Sequence, residues 1–367
     1  MGLLDYYRQF EGMADDEVTA ELRARSEERR RLALAKIEPL DLSETTWHEF
    51  PHPDVVAAIT YAARRGINRP ADPQALELRR DLGRRHGLEP DRVAVGNGAG
   101  QLLRVAARAV MEPDSELVTP WPSYPLYPLM ARAAGGRAVP VPDMQVETMF
   151  AAVNDRTRVI AICNPNDPNG AFMPASDLRR LLERLPDHVT VLLDEALAEF
   201  VDAEPPGSSL ELLDDFPRLL VFRTFSKIYG LAGMRCGYVL GGPGSETLLD
   251  AIAPSLGVSE LVQAGALEAL RKCGPQVAAR RDQVIAERER VLEAVAELAI
   301  DAPASQSNCV WLRAPGLPDG ELVHRLRRSG VIVHSGRDLG EPDHVRATIQ
   351  SRPAGDRLLE GLRRAVS

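Results

Sequence analysis

The residues with the clearest chemical sense are Thr224-Phe225-Ser226-Lys227-Ile228-Tyr229-Gly230-Leu231-Ala232-Gly233-Met234-Arg235, entered from an apolar run, Leu219-Leu220-Val221-Phe222. A lysine so placed suits Schiff-base formation with a phosphorylated aldehyde cofactor. The hydroxyls of Thr224 and Ser226 and the guanidinium of Arg235 would hold the phosphate. The glycines would let backbone approach the cofactor closely. Alone, a lysine beside glycines is an ordinary loop. Schiff-base chemistry needs the remaining parts of such a site elsewhere, in a workable order.

Four further pieces supply them. Val95-Gly96-Asn97-Gly98-Ala99-Gly100 joins a strand-like run to a helix-like stretch. Gly98, Ala99 and Gly100 would present free N–H groups and the positive end of a helix dipole to a phosphate; a tight strand–helix turn explains them equally. Pro120-Trp121-Pro122-Ser123-Tyr124-Pro125 is a proline-stiffened loop. Tyr124 there can stack flat on an aromatic ring, or serve as a core aromatic. Cys163-Asn164-Pro165-Asn166-Asp167-Pro168-Asn169-Gly170 is a rigid turn at the end of an apolar run. Open α/β sheets bind ligands at that edge. Asp194-Glu195-Ala196 ends the run Val189 to Leu193. Its first carboxylate can pair with a protonated pyridine nitrogen and make the ring an electron sink, or can cap a helix. Lys227 follows Asp194 by 33 residues, room for a helical crossover and one more strand, so both reach one sheet edge.

The elements that must position these pieces alternate. Val93-Ala94-Val95, Leu117-Val118, Val159 to Ile162, Val189 to Leu193 and Leu219 to Phe222 read as buried strands. Leu76 to Arg85, Gln101 to Met111 and Leu178 to Leu185 read as the helices between them. Such alternation predicts an α/β fold, a mainly parallel sheet with helices on both faces. Beyond Gly241-Gly242-Pro243-Gly244, a helix over Leu261 to Leu298 and short strands at Val310-Trp311-Leu312 and Val331-Ile332-Val333 predict a smaller α+β domain. The division expected is an N-terminal arm over residues 1–50, a large domain over 51–245 and a small C-terminal domain over 246–367. Within the arm, Glu17 to Lys36 reads as one charged, solvated helix, and Leu40 to Pro53 as irregular extended chain.

Composition bounds the rest. The chain has 367 residues, 44% hydrophobic and 26% charged, ordinary for a soluble protein of two domains. Net charge is −9, which argues against nucleic acid or an anionic membrane as the main partner. No apolar run is long enough to span a bilayer, and Met1 to Tyr7 lacks the layout of a secretory signal. Cys163, Cys236, Cys273 and Cys309 form no C-x-x-C pair and read as reduced thiols of a cytoplasmic protein. No metal site is expected. His48 and His52 have helical spacing, but Pro51 and Pro53 interrupt the helix that would align them. A dinucleotide site is not expected either, because the glycines at 96, 98 and 100 lack the G-x-G-x-x-G spacing.

Taken together, the chain resembles the fold-type I pyridoxal-phosphate aminotransferases of class I/II, most of all their histidinol-phosphate branch. The resemblance rests on Gly96-Asn97-Gly98-Ala99, Pro122-Ser123-Tyr124, the Asn164–Gly170 turn, Asp194-Glu195-Ala196, Phe225-Ser226-Lys227 with Gly230 to Arg235, and Val345-Arg346-Ala347-Thr348-Ile349. It covers the chain from about Leu42 onward. It implies a seven-stranded type of large-domain sheet, pyridoxal 5′-phosphate as cofactor, and a homodimer with active sites at the subunit interface. It implies Lys227 as Schiff-base lysine and proton shuttle, Asp194 as pyridinium partner and Tyr124 as ring-stacking aromatic. Gly98, Ala99 and Gly100 with Thr224, Ser226 and Arg235 would form the phosphate cup. Arg346 would clamp the substrate α-carboxylate.

Departures from the family text carry their own expectations. The family turn reads N-P-N-N-P-T-G, and its second consecutive Asn donates to the cofactor's phenolic oxygen; Asp167 stands there. A tyrosine aimed at the same oxygen is replaced by Leu197. A carboxylate in place of two donors should make the internal Schiff base unusually basic. The branch's N-R-Y-P-D is Asn68-Arg69-Pro70-Ala71-Asp72, without the tyrosine that reaches the neighbouring subunit. Its arginine for a substrate phosphate is His334, with Arg337 able to substitute, and Trp47 could cover an apolar or aromatic side chain. Transfer of an amino group from an L-amino acid, or an amino-alcohol phosphate such as histidinol phosphate, to a 2-oxo acid is the leading expectation. Decarboxylation, elimination or oxidation on the same scaffold is the alternative, separated by how Arg346 turns the carboxylate. A non-catalytic cofactor-binding or scaffolding protein is the third, and retention of Lys227, Asp194, Arg235 and Arg346 speaks against it.

Overall fold

Apolar runs bounded by turn residues become strands in the computed structural model, which describes residues 38–366. The charged helix expected over Glu17 to Lys36 lies outside the described residues. Strand β1 (Leu40–Asp41) leads to helices α1 (Pro53–Gly66) and α2 (Leu76–His86). Strand and helix then alternate through β2 (Val93–Gly96), α3 (Ala99–Val110), β3 (Glu116–Pro120), α4 (Leu126–Ala133), β4 (Arg137–Val141), α5 (Val146–Ala151), β5 (Thr157–Cys163), α6 (Ala175–Leu182) and β6 (Thr190–Asp194). β7 (Leu219–Thr224) and β8 (Gly237–Gly241) complete a seven-stranded sheet in the order β2-β8-β7-β6-β5-β3-β4. Only β8 runs antiparallel to its neighbours.

Each of the five expected strands forms, with ends shifted by a residue or two. β4 and β8 were not expected. β4 is an edge strand carrying Pro140 and little buried surface, so it lacks a continuous apolar run. Side-chain alternation covers the sheet on both sides. Val159, Ala161, Leu192, Leu220, Phe222 and Val239 enter one core with α3 and α4. Ile160, Ile162, Val191, Leu193, Val221 and Leu240 enter the other. The fold is therefore α/β, with a mainly parallel sheet sandwiched by helices.

The C-terminal part adds α7 (Glu246–Ile252), α8 (Glu260–Lys272), α9 (Gly274–Ala296), β9 (Cys309–Leu312), α10 (Asp319–Arg328), β10 (Val331–Ile332), β11 (His334–Ser335), β12 (Val345–Thr348) and α11 (Arg352–Val366). The one helix expected over Leu261 to Leu298 is two. Pro275 cannot donate a backbone hydrogen bond and restricts the residue before it, so the break falls at Cys273. The single strand expected at 331–333 also splits: β10 pairs with β1, and β11 with β12, which continues to β9.

Boundaries drawn at residues 50 and 245 cut across this packing. α7 lies against α3, and α8 against α1 as well as α9. β1, placed in the arm, pairs with β10 of the C-terminal part in a two-stranded sheet of their own. Among the described residues no helix is long and apolar enough to cross a membrane, and all four cysteines are free and buried.

Candidate active site

Parallel strands deliver their C-terminal ends to one edge of the sheet, and the candidate residues collect there. β2 ends before Gly98, β3 before Tyr124, β5 before Asp167, β6 at Asp194 and β7 before Lys227. Cys163 is paired with Asp194 across β5 and β6, which places the Asn164–Gly170 turn beside that carboxylate.

The turn itself is tied down from three directions. Asn164 Nδ2 donates to the Met173 carbonyl at 2.8 Å, and its Oδ1 accepts from the Met173 N–H at 2.8 Å. Asn166 Oδ1 accepts from the Ser123 hydroxyl at 2.6 Å, and its Nδ2 donates to the Pro122 carbonyl at 2.9 Å. The Tyr124 loop and the Asp167 turn are thereby held as one unit. Tyr124 is 40% exposed, which excludes the core-aromatic reading; its ring meets Tyr127 edge-on at 5.9 Å.

Asp194 is 3% exposed. The Tyr127 hydroxyl donates to its Oδ2 at 3.1 Å and the Ala196 N–H to its Oδ1 at 3.1 Å. Burial pushes this carboxyl up to about 6, against the pull of the Tyr127 hydroxyl, the Ala196 N–H and nearby Lys227. Its neighbour Glu195 points elsewhere, into a buried pair with Arg223 whose Nη2 lies 2.6 Å from Glu195 Oε2. That pair anchors the strand end on which Asp194 rides.

The Lys227 amine donates to the Thr45 hydroxyl. Burial pulls its pKa below the usual lysine value, with Arg346 adding to the effect and Asp167, Glu44 and Asp194 opposing it. A lysine so shifted is closer to its neutral, nucleophilic form. Around the phosphate-cup candidates, Gly98 caps the start of α3, whose first turn carries no acidic residue. Gly98 has φ +89°, and a Cβ there would lie 2.6 Å from Arg235 Nη2. Arg235 itself is left-handed at φ 55°. The Thr224 and Ser226 hydroxyls stand 3.0 Å apart.

Arg346 reaches the same space from β12 of the small sheet. Its Nη1 donates to Asp167 Oδ1 at 2.5 Å and its Nη2 to the Ser43 carbonyl at 2.5 Å; its Nε is buried without a partner. His334 lies directly opposite Arg346 in the β11–β12 register, half-buried. Trp47, expected to cover a substrate side chain, does not join the group. Its indole N–H donates to Glu49 at 3.0 Å, and its face is taken by the Arg280 guanidinium at 4.6 Å. Leu197, at 1% exposure, is part of the core.

Three partners were not foreseen. Thr45 and Ser43 come from a segment that looked irregular in sequence, and it is pinned to the small domain through Asn308 and Gln350. Tyr127 had a usable signal: it follows Tyr124 by only three residues, on the first turn of α4, and the two rings meet edge-on.

These donors fit a phosphorylated aldehyde cofactor. A helix N-terminus, two hydroxyls and a guanidinium would suit a phosphate, the buried Asp194 carboxylate would suit a ring nitrogen, and the half-buried Lys227 amine would suit the aldehyde. Among the described residues no cluster of His, Cys, Asp or Glu is placed to hold a metal ion.

Comparison with known proteins points the same way. Residues 37–362 match the family described as aminotransferase class I and II. An aromatic amino acid aminotransferase of Corynebacterium efficiens is 38% identical over 315 residues, covering 84% of this chain and 88% of that protein. One from Mycobacteroides abscessus is 37% identical over 314 residues, covering 84% of this chain and 88% of that protein. Among solved structures, histidinol-phosphate aminotransferase from Sinorhizobium meliloti in complex with pyridoxal-5′-phosphate has a TM-score of 0.80 at 28% identity, covering 92% of this chain and 94% of the other. Aspartate aminotransferase from Thermus thermophilus with maleate has a TM-score of 0.78 at 25% identity, over 95% and 96% of the two chains.

Proposed function

The chain belongs to the class I and II aminotransferases and is a pyridoxal-phosphate transaminase; we propose that its amino donors are aromatic L-amino acids and its acceptors 2-oxo acids. The observation that supports the chemistry is that Lys227, just after β7, feels the charges of Asp194 at the end of β6 and Arg346 in β12. The aromatic preference is supported by the relatives from Corynebacterium efficiens and Mycobacteroides abscessus. A phosphate-tailed donor would need a free cation near Arg346. His334 stands where the histidinol-phosphate branch has arginine, and Arg337 is paired with buried Asp319 at 3.3 Å.

The assigned roles follow from position. When bound, the cofactor would supply an electron sink for the pair left by breaking the donor's Cα–H bond. Lys227 would bond the cofactor and move the Cα proton. Asp194, steadied by Tyr127, would pair with the ring nitrogen. Tyr124 would stack on the ring. The N–H groups at Gly98, Ala99 and Gly100, with Thr224, Ser226 and Arg235, hold the phosphate. Arg346 receives the α-carboxylate, and His334 flanks the side chain. We further propose a cytoplasmic homodimer. Phe50, Tyr61, Ile67 and Leu256 are 93%, 62%, 74% and 88% exposed, apolar side chains that a partner subunit would cover.

The test is a donor panel. The cofactor-loaded protein is given L-phenylalanine, L-tyrosine, L-aspartate or histidinol phosphate with 2-oxoglutarate, and the new carbonyl product is measured. We expect the aromatic donors to have kcat/KM at least about tenfold above the others. Preference for histidinol phosphate or L-aspartate would sink the aromatic reading.

Gly98→Ala tests the phosphate cup. The substitution combines a left-handed φ with a Cβ on top of Arg235. We expect pyridoxal-phosphate affinity to drop by roughly tenfold or more, read from the dissociation constant of the cofactor, with the fold retained.

A further inference from the structure

We propose that Asp167 holds Arg346 as an internal stand-in for the substrate carboxylate, so that an amino donor binds by exchange with Asp167. The inference rests on Arg346 being the carboxylate clamp of the reading above, and it adds a specificity-determining residue at the position where the family text has asparagine.

Three observations carry it. First, the ion pair is buried and direct: Asp167 and Arg346 are 7% and 5% exposed, with Oδ1 2.5 Å from Nη1. Second, the guanidinium is not saturated. Nη2 is spent on the Ser43 carbonyl, and Nε is buried with no acceptor. A clamp built only for structure would not leave a buried donor unpaired. Third, Asp167 has a second cation to turn to. It is the largest charge acting on Lys227, ahead of Arg346, Glu44 and Asp194. Two arrangements are therefore available: Asp167 on Arg346, or the incoming carboxylate on Arg346 with Asp167 shared toward Lys227.

Asparagine at this position would offer Arg346 a neutral amide oxygen and leave its charge free for the ligand. Aspartate offers a full negative charge. An incoming carboxylate must compete with it, and meets like-charge repulsion if it does not displace it. The expected result is selective weakening: ligands with a carboxylate lose affinity, and ligands of the same shape without the charge do not.

The experiment measures equilibrium binding of unreactive ligands, which have no amino group, to the cofactor-loaded protein by calorimetry. The probes are 3-phenylpropanoate and hexanoate, each beside its own primary amide. Asp167→Asn and Asp167→Ser are compared with the parent, after thermal unfolding has checked that each is folded. We expect both carboxylates to bind at least about tenfold more tightly to either variant than to the parent, with the amides changing less than about twofold. If only one variant folds, it suffices. The parent alone also decides: exchange predicts that it prefers a carboxylate over its amide by less than about tenfold.

Unchanged or weaker carboxylate binding in the variants overturns the proposal. So does an equal gain for the amides, a parent that prefers carboxylates by more than about a hundredfold, or no measurable carboxylate binding in any of the proteins. A gain confined to hexanoate sustains the exchange and defeats the aromatic reading. A gain for neither carboxylate defeats the exchange and leaves the donor panel to judge the aromatic reading by itself.

Discussion

Lys227→Ala is expected to lower transamination by at least about four orders of magnitude while the protein stays folded. Both functions assigned to this amine disappear together. The cofactor loses its covalent anchor, and the Cα proton loses the base placed to move it. Water is a poor replacement because burial already disfavours charge at this amine, and the residues acting on it, Thr45, Asp194 and Arg346, are themselves buried. The fold should tolerate the change. Burial already pulls the amine's pKa down, so its removal relieves a desolvation cost, and the Thr45 hydroxyl loses one hydrogen bond worth about 1 kcal/mol. Borohydride treatment should no longer fix the cofactor to the chain. Lys227→Arg keeps the charge and removes the chemistry, so it should be as inactive as the alanine variant. Activity within about a hundredfold of the parent in either variant would remove Lys227 from the reaction.

Much of this site was legible because its parts follow the order of the sheet. An apolar run ending in Asp194, another leading to Lys227, and the intervening crossover put both residues on one edge whatever the details of packing. The rest depends on contacts between distant segments. Thr45 reaches Lys227 across 182 residues and Asp167 reaches Arg346 across 179, and no local periodicity encodes either meeting. The Asp167–Arg346 pair also revises an expectation. A lone carboxylate beside the cofactor's phenolic oxygen should make the internal Schiff base unusually basic. A carboxylate already paired at 2.5 Å with a guanidinium presents far less charge to that oxygen, so the shift should be smaller. Leu197 needs no such revision, because its side chain is spent on the core and supplies no donor. Helix ends were least legible where they follow backbone chemistry rather than apolar spacing, as at Cys273, where Pro275 divides α8 from α9.

Asp194→Asn should separate function from stability. Activity is expected to fall by about three orders of magnitude, since a neutral amide cannot balance a protonated ring nitrogen. In the cofactor-free protein the same change should be stabilising at about pH 8. Burial holds the Asp194 carboxyl at about 6, against an ordinary value of 3.8. The folded state therefore prefers the protonated carboxyl. That preference costs nothing below the unfolded value and becomes a growing penalty as pH rises from there through about 6. At about 1.4 kcal/mol per pKa unit the penalty above that range approaches roughly 3 kcal/mol. Asparagine avoids it and can keep one hydrogen bond each with Tyr127 and Ala196, so a net gain of about 1–2 kcal/mol is expected in urea unfolding. Near pH 4 the gain should vanish. Saturating pyridoxal phosphate should reverse the order, because the cofactor supplies the parent's carboxylate with the cation it lacks and stabilises by mass action. A parent more stable than Asp194→Asn at about pH 8 without cofactor would contradict the burial penalty. A reversal that fails to appear on loading would mean that Asp194 does not face the ring nitrogen. The carboxylate that makes the empty protein less stable is, on this account, the one that makes the loaded protein an enzyme.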